Sequence, residues 1–121
     1  MAGTLTTTST KRIGDMIVNR YTLTSHTDGS LSNGTVSLSG FLVSVVTNPS
    51  ATAPTADWDL TILDEDGVDI LAGAGADRHT TNSLQVNLMT TGAVPVAGDY
   101  TITGANMGSE KIADVVLRIR P

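Results

Sequence analysis

Apolar and polar residues alternate with a period of two along most of this chain, and one stretch shows it most clearly. Trp58, Leu60 and Ile62 alternate with Asp59, Thr61 and Leu63, which puts a largely apolar row and a mixed row on opposite faces of a strand. Asp64-Glu65-Asp66-Gly67 follows. Its Asp-Gly pair offers a residue that tolerates the left-handed region and one without a Cβ, the chemistry of a tight turn. The run from Trp58 to Leu71 is therefore expected to form a β-hairpin.

The same pattern recurs on both sides. Ile17, Tyr21 and Leu23 oppose Arg20, Thr22 and Thr24, predicting a strand from Asp15 to Ser25, and the stretch from His26 to Gly34 reads as a turn region. Val36 and Leu38 share one face, whereas Phe41, Val43 and Val45 occupy the alternate positions. A bulge or bend at Ser39-Gly40 reconciles the two phases. Pro49 and Pro54 mark the segment from Thr47 to Thr55 as an exposed loop. Leu84, Val86 and Leu88 alternate with Gln85, Asn87 and Met89 as another strand. The run from Val94 to Gly98 reads as a connection, and Tyr100 and Ile102 open a strand that breaks at Gly104-Ala105-Asn106-Met107-Gly108.

The last segment fits two periods. Ile112, Val115, Val116 and Ile119 make a helical stripe, while Val115, Leu117 and Ile119 alternate with Arg118 and Arg120. Strand is preferred because no helix cap is present. About seven or eight strands joined by frequent turns predict an all-β, single-domain antiparallel β-sandwich or jelly-roll-like barrel. Residues 13–121 form that domain, and residues 1–12 precede it as an N-terminal arm, small, polar and threonine-rich. The expected core is Trp58, Leu60, Ile62, Leu84, Val86, Leu88, Val115 and Leu117.

Composition narrows the function. At 121 residues the chain has the size of one domain, able to bury roughly two-thirds of its unfolded surface. Trp58, Phe41, Tyr21 and Tyr100 are its only large rings, so each is expected to anchor a core or an interface. Cysteine is absent, which removes disulfides and thiolate metal sites. No basic-then-apolar leader and no membrane-length apolar run occur, so the chain reads as a soluble protein without a secretion signal. A net charge of −5 argues against phosphate-driven nucleic-acid binding. The charges are segregated: seven acidic and no basic residues lie between Asp57 and Asp77, whereas Lys11, Arg12, Arg20, Arg118 and Arg120 lie near the two ends. Such segregation suits subunit contacts by complementary fields, or else marks a solvated surface.

Candidate chemistry is sparse. Gly73-Ala74-Gly75 lacks the third glycine and the following helix of a dinucleotide-binding loop. Asp64, Glu65, Asp66 and Asp69 could surround calcium or simply build a turn; EF-hand spacing is excluded because Ile62 would fall at the first ligand position. His26 and His79 sit in polar loops without partners at ligand spacing. Asn33-Gly34-Thr35 matches an N-glycosylation pattern but reads as turn chemistry. No nucleophile elbow is present. No catalytic, cofactor-binding or metal residue is assigned, and no enzyme is expected.

The run Val45-Val46-Thr47-Asn48-Pro49-Ser50-Ala51-Thr52-Ala53-Pro54-Thr55, then Asp57-Trp58-Asp59-Leu60-Thr61-Ile62, then Asp64 through Gly75, resembles small structural proteins of tailed-bacteriophage virions. Gly104 to Gly108 and the segment from Val115 to Arg120 are similar too; the resemblance covers roughly Gly40 to the end. It implies a head decoration or cement protein, with a tail or baseplate subunit touching host-surface glycans as the alternative. The reading that follows is a homotrimer on the outer surface of the head, made in the host cytoplasm, bridging major capsid protein subunits, with no nucleic-acid or membrane partner and no cofactor.

Overall fold

The computed structural model describes residues 3–88 and 93–121. Met1 and Ala2, at the start of the expected arm, and Met89, at the end of an expected strand, lie outside the described residues. Seven strands follow in order: β1 (Thr4–Ile13), β2 (Met16–Thr24), β3 (Leu31–Pro49), β4 (Asp59–Leu63), β5 (Leu84–Asn87), β6 (Val94–Ala105) and β7 (Ile112–Arg120). All their pairings are antiparallel, along the path β1-β2-β7-β3-β6-β4 with β5 also beside β3. The fold is all-β and antiparallel, as the alternation predicts.

β3 organises it. Leu31 to Leu42 pair with β6 on one edge, and Phe41 to Pro49 pair with β7 on the other. The two ladders overlap at Phe41 and Leu42, next to Gly40, where φ is +113° and an added Cβ would come within 2.6 Å of the Arg120 carbonyl oxygen. Only glycine reconciles that backbone with so close a neighbour. Beyond the bend, β5 takes the edge that β6 leaves, pairing Leu84 to Asn87 with Thr47 to Ser44. The sheet thus folds over on β3, with β1, β2, β7, β5 and the second half of β3 in one layer and β6, β4 and the first half of β3 in the other. Tyr21, Leu23, Val115 and Leu117 from the first layer and Leu38, Leu60, Ile62 and Ile102 from the second belong to one buried cluster. Trp58, wholly buried, joins it.

Most expected elements are present. The strand assigned to Asp15–Ser25 is β2, and the last segment is a strand because Val115, Leu117 and Ile119 face the core. The phase change expected at Ser39-Gly40 falls instead at Val43: Val36, Leu38 and Leu42 are buried in one phase with Phe41 exposed, and the ladder with β7 shifts between Leu42 and Ser44 before Val45 turns inward. Of the eight core residues expected, seven are buried; Leu84, at the open end of short β5, is half-buried.

Four further expectations are corrected. The arm is instead mostly β1, paired residue by residue with β2 from Thr4↔Thr24 to Ile13↔Met16, with Leu5 packed on the core. The hairpin keeps its turn, in which the Asp64 N–H donates to the Val68 carbonyl at 2.9 Å, but forms no second strand. Its return makes one bridge, Leu63↔Asp69, because the Ala-Gly run after Leu71 has almost nothing to bury; β4 pairs with β6 instead. Val94 to Gly98 is strand rather than connection. Pro95 is accommodated there because β4 flanks β6 only from Thr101 to Ala105, leaving one edge unpaired beside the proline among the described residues. β3 also extends further at both ends than expected: Asn33-Gly34 lies within it rather than in a turn, and Pro49 closes its ladder opposite Ala113.

Candidate functional site

Several of the residues singled out as possible chemistry hold backbone groups of their own loops. Asp64 Oδ1 accepts the N–H groups of Asp66 and Val68, both at 2.9 Å. Asp69 Oδ1 accepts from Ile62 and Leu71 at 3.2 and 3.1 Å, and its Oδ2 accepts from Gly73 at 3.0 Å. These carboxylates are occupied by backbone donors, and among the described residues no group of three or more His, Asp or Glu side chains is arranged to hold a metal. The histidines act likewise. His26 Nδ1 accepts the Asp28 N–H at 3.2 Å, and His79 Nδ1 accepts those of Thr81 and Asn82 at 3.0 and 2.9 Å. Beside His26, the Ser30 hydroxyl and amide hold the exposed Asp28 carboxyl below its ordinary pKa.

Gly73-Ala74-Gly75 presses against β4 rather than cradling a phosphate: the Leu60 N–H donates to the Gly75 carbonyl at 2.8 Å, and a side chain at Gly75 would collide with the Leu60 backbone. Arg78 fastens this loop by donating from Nη2 to the carbonyls of Ala74 and Ala76 at 3.1 and 3.2 Å. Burial lowers its pKa, partly offset by the Asp77 carboxylate.

Two features lie elsewhere. The first is the outer face of the β1-β2-β7-β3 layer. Lys11 pairs with Val18, Val18 with Arg118 and Arg118 with Ser44, so all four share one row and one face. Arg20 sits two residues from Val18, opposite Val116, and Arg120 two from Arg118, opposite Phe41; both are therefore on the same face. Phe41 is 44% exposed and Ile13 65%. Asp114 partners Arg20 at 3.4 Å. Four cations thus surround apolar positions on one face, whereas Asp57, Glu65, Asp66 and Asp77 are exposed in the loops flanking β4, at the other end of the strand path.

The second is a cleft of about 480 Å³ between the layers. Thr7 and Tyr21 are cross-strand partners, as are Thr10 and Asn19, and all four border the cleft from β1 and β2. The first half of β3 forms the opposite wall from Thr35 to Ser39. Asn19 Oδ1 is buried and receives no hydrogen bond from the described residues. An unmet buried acceptor costs about 1–3 kcal/mol, which an incoming N–H removes. Burial raises the Tyr21 pKa, with hydrogen bonding from Asn19 offsetting part of the shift. The alternation in β2 predicts that Tyr21 points inward; the cleft itself depends on pairings that the sequence does not display.

No family model matches the chain, and no curated protein does. Among solved structures, it is similar to an RmlC-like cupin protein from Desulfovibrio desulfuricans, with 6% identity and a TM-score of 0.41 over 99% of this chain and 84% of that one.

Proposed function

We propose that this chain is a structural protein of a tailed-bacteriophage virion, a decoration or cement subunit that binds the outside of the head as a homotrimer and bridges capsid subunits. The observation that carries the reading is the outer face of β1-β2-β7-β3, where Lys11, Arg20, Arg118 and Arg120 surround Val18, Val46 and exposed Phe41. The resemblance from Gly40 onward supports it. A surface mixing cations with an exposed ring fits an acidic, partly apolar partner, with the charges steering encounter and the apolar residues supplying residence time.

The mechanism is mass action. A protein that binds only the assembled shell lowers that state's free energy by RT ln(1 + [L]/Kd) per site, about 3 kcal/mol at a hundredfold excess over Kd. Repetition over equivalent sites multiplies the effect, and no chemical step is required.

Cosedimentation with head shells lacking the protein tests this. Saturable binding that weakens with added salt and with Arg118→Glu is expected. Binding indifferent to both, or found only on isolated tails, contradicts it.

A further inference from the structure

The cleft is bordered by an unbroken run of five β3 residues, Thr35, Val36, Ser37, Leu38 and Ser39. A strand contributes alternate residues through a face, so consecutive residues on one wall mean that its edge also borders the space. No strand pairs with that edge among the described residues: β6 occupies the other edge, β7 begins pairing only at Phe41, and β1 approaches through Leu5 against Gly34 without a ladder. The N–H and C=O groups on it meet the cleft as a ladder without a partner.

The other edges of the sheet are guarded; the stretch of β6 that β4 leaves unpaired, from Val94 to Tyr100, carries Pro95 and the exposed Asp99. β4 is covered by its own loop, with Leu60 donating to Gly75 and Ile70 donating to Ile62, each at 2.8 Å. β1 carries exposed Lys11 and Arg12 and a register shift between Thr7 and Ser9. β5 is only four residues long. Charge, bulges, brevity and covering loops are the devices that keep strand edges from pairing. The Thr35–Ser39 edge has none of them, and no residue that borders the cleft is an acid or a cation at neutral pH.

We propose that the cleft is a strand-addition site, taking an extended, uncharged segment of a partner protein along the open edge of β3. Five residues at about 3.3 Å each give the segment roughly 16 Å of contact. Its alternate side chains face Ile17, Val36, Leu38 and Ile119, which calls for small aliphatic residues at every second position, with Ser, Thr or Asn between them. Asn19 Oδ1 supplies an acceptor for a donor on the incoming strand. An oligosaccharide is a poorer fit. The Tyr21 ring is buried rather than offered for stacking, and the open edge presents the regular backbone spacing of a peptide. This inference deepens the assembly role, because the donor would be an extended arm of the protein to which the chain attaches.

The experiment uses the whole chain and a pool of capped heptapeptides with Val, Leu or Ala alternating with Ser, Thr or Asn, read by hydrogen exchange. The expected result is slowed exchange confined to the Thr35–Ser39 region at about 1 mM peptide, reduced about tenfold or more in affinity by N-methylation of alternate peptide amides. Thr10→Trp, which fills the cleft from exposed β1, should abolish protection without changing the melting temperature. No protection from the pool, protection at β1 or β4 instead, equal binding of N-methylated peptides, or maltoheptaose protecting the cleft in place of peptide overturns the proposal. Shell binding is read separately: peptide protection without cosedimentation keeps the cleft and rejects the virion role, and cosedimentation without peptide protection does the reverse.

Discussion

Arg120 lies over the ring of Phe41, its guanidinium carbon 5.9 Å from the ring centroid, and the two are cross-strand partners on the outer face of the β3–β7 pair. The ring is 44% exposed, unlike Trp58, Tyr21 and Tyr100, which are buried. A cation over an exposed ring contributes only about 0.5–1 kcal/mol to stability, so folding alone gives little reason for this pair. Phe41→Ala should leave unfolding free energy within about 1 kcal/mol of the parent while weakening attachment to the shell about tenfold or more. Parallel chemical denaturation and cosedimentation separate the two; equal losses in both would make the ring a folding residue.

The bend that turns β3 from one layer to the other depends on Gly40. At φ +113°, with Arg120 O 2.6 Å from where a Cβ would stand, Gly40→Ala combines backbone strain with a collision against main chain. A loss of about 2–4 kcal/mol is expected. Gly14, with nothing within 4 Å of its added Cβ and φ +60°, is the control: Gly14→Asn should cost less than about 1 kcal/mol. Urea titration of both variants measures the contrast.

Trp58 is wholly buried and is the chain's single tryptophan, so it serves as both core residue and probe. Trp58→Ala should cost roughly 3–5 kcal/mol. Its fluorescence in the parent should be blue-shifted when folded and red-shifted on unfolding. An unchanged melting temperature in the variant would place the core elsewhere.

Burial raises the Tyr21 pKa above its ordinary value of 10.0, with desolvation outweighing the hydrogen bond from Asn19. The neutral phenol is therefore favoured in the folded state. Its contribution is fully present below the unfolded pKa and is lost as pH rises from about 10 through the folded value. Tyr21→Phe should flatten the fall in stability between about pH 9.5 and 11. Denaturant midpoints across that window test it, and identical slopes in parent and variant would contradict it.

The sequence carries the fold through residues whose alternation meets the core directly. Tyr21 and Leu23 in β2, Leu60 and Ile62 in β4 and Val115, Leu117 and Ile119 in β7 are legible because one face of each strand is apolar and deeply buried. β1 is not, since Leu5 is its main apolar contact with the core and its threonines gain order by hydrogen bonding to β2, which composition does not reveal. Val94 to Gly98 misleads for a related reason. Pro95 and Gly98 usually break strands, but here they lie on a stretch of β6 with one open edge, and Gly98 adopts φ +116°. The cationic outer face and the cleft are legible only in part. Segregated charge is visible along the chain, yet bringing Lys11 and Arg118 into one row requires the β1-β2-β7 register, and the open edge of β3 follows from where its neighbours stop.

The most direct test of the proposed assembly role is a cryo-electron microscopy map of tailed-bacteriophage particles made with this chain present. The account predicts copies on the outer surface of the head, three around each attachment point, with Phe41, Arg118 and Arg120 turned toward the shell. Copies confined to the tail tip, or head-bound copies with that face turned to solvent, would contradict it.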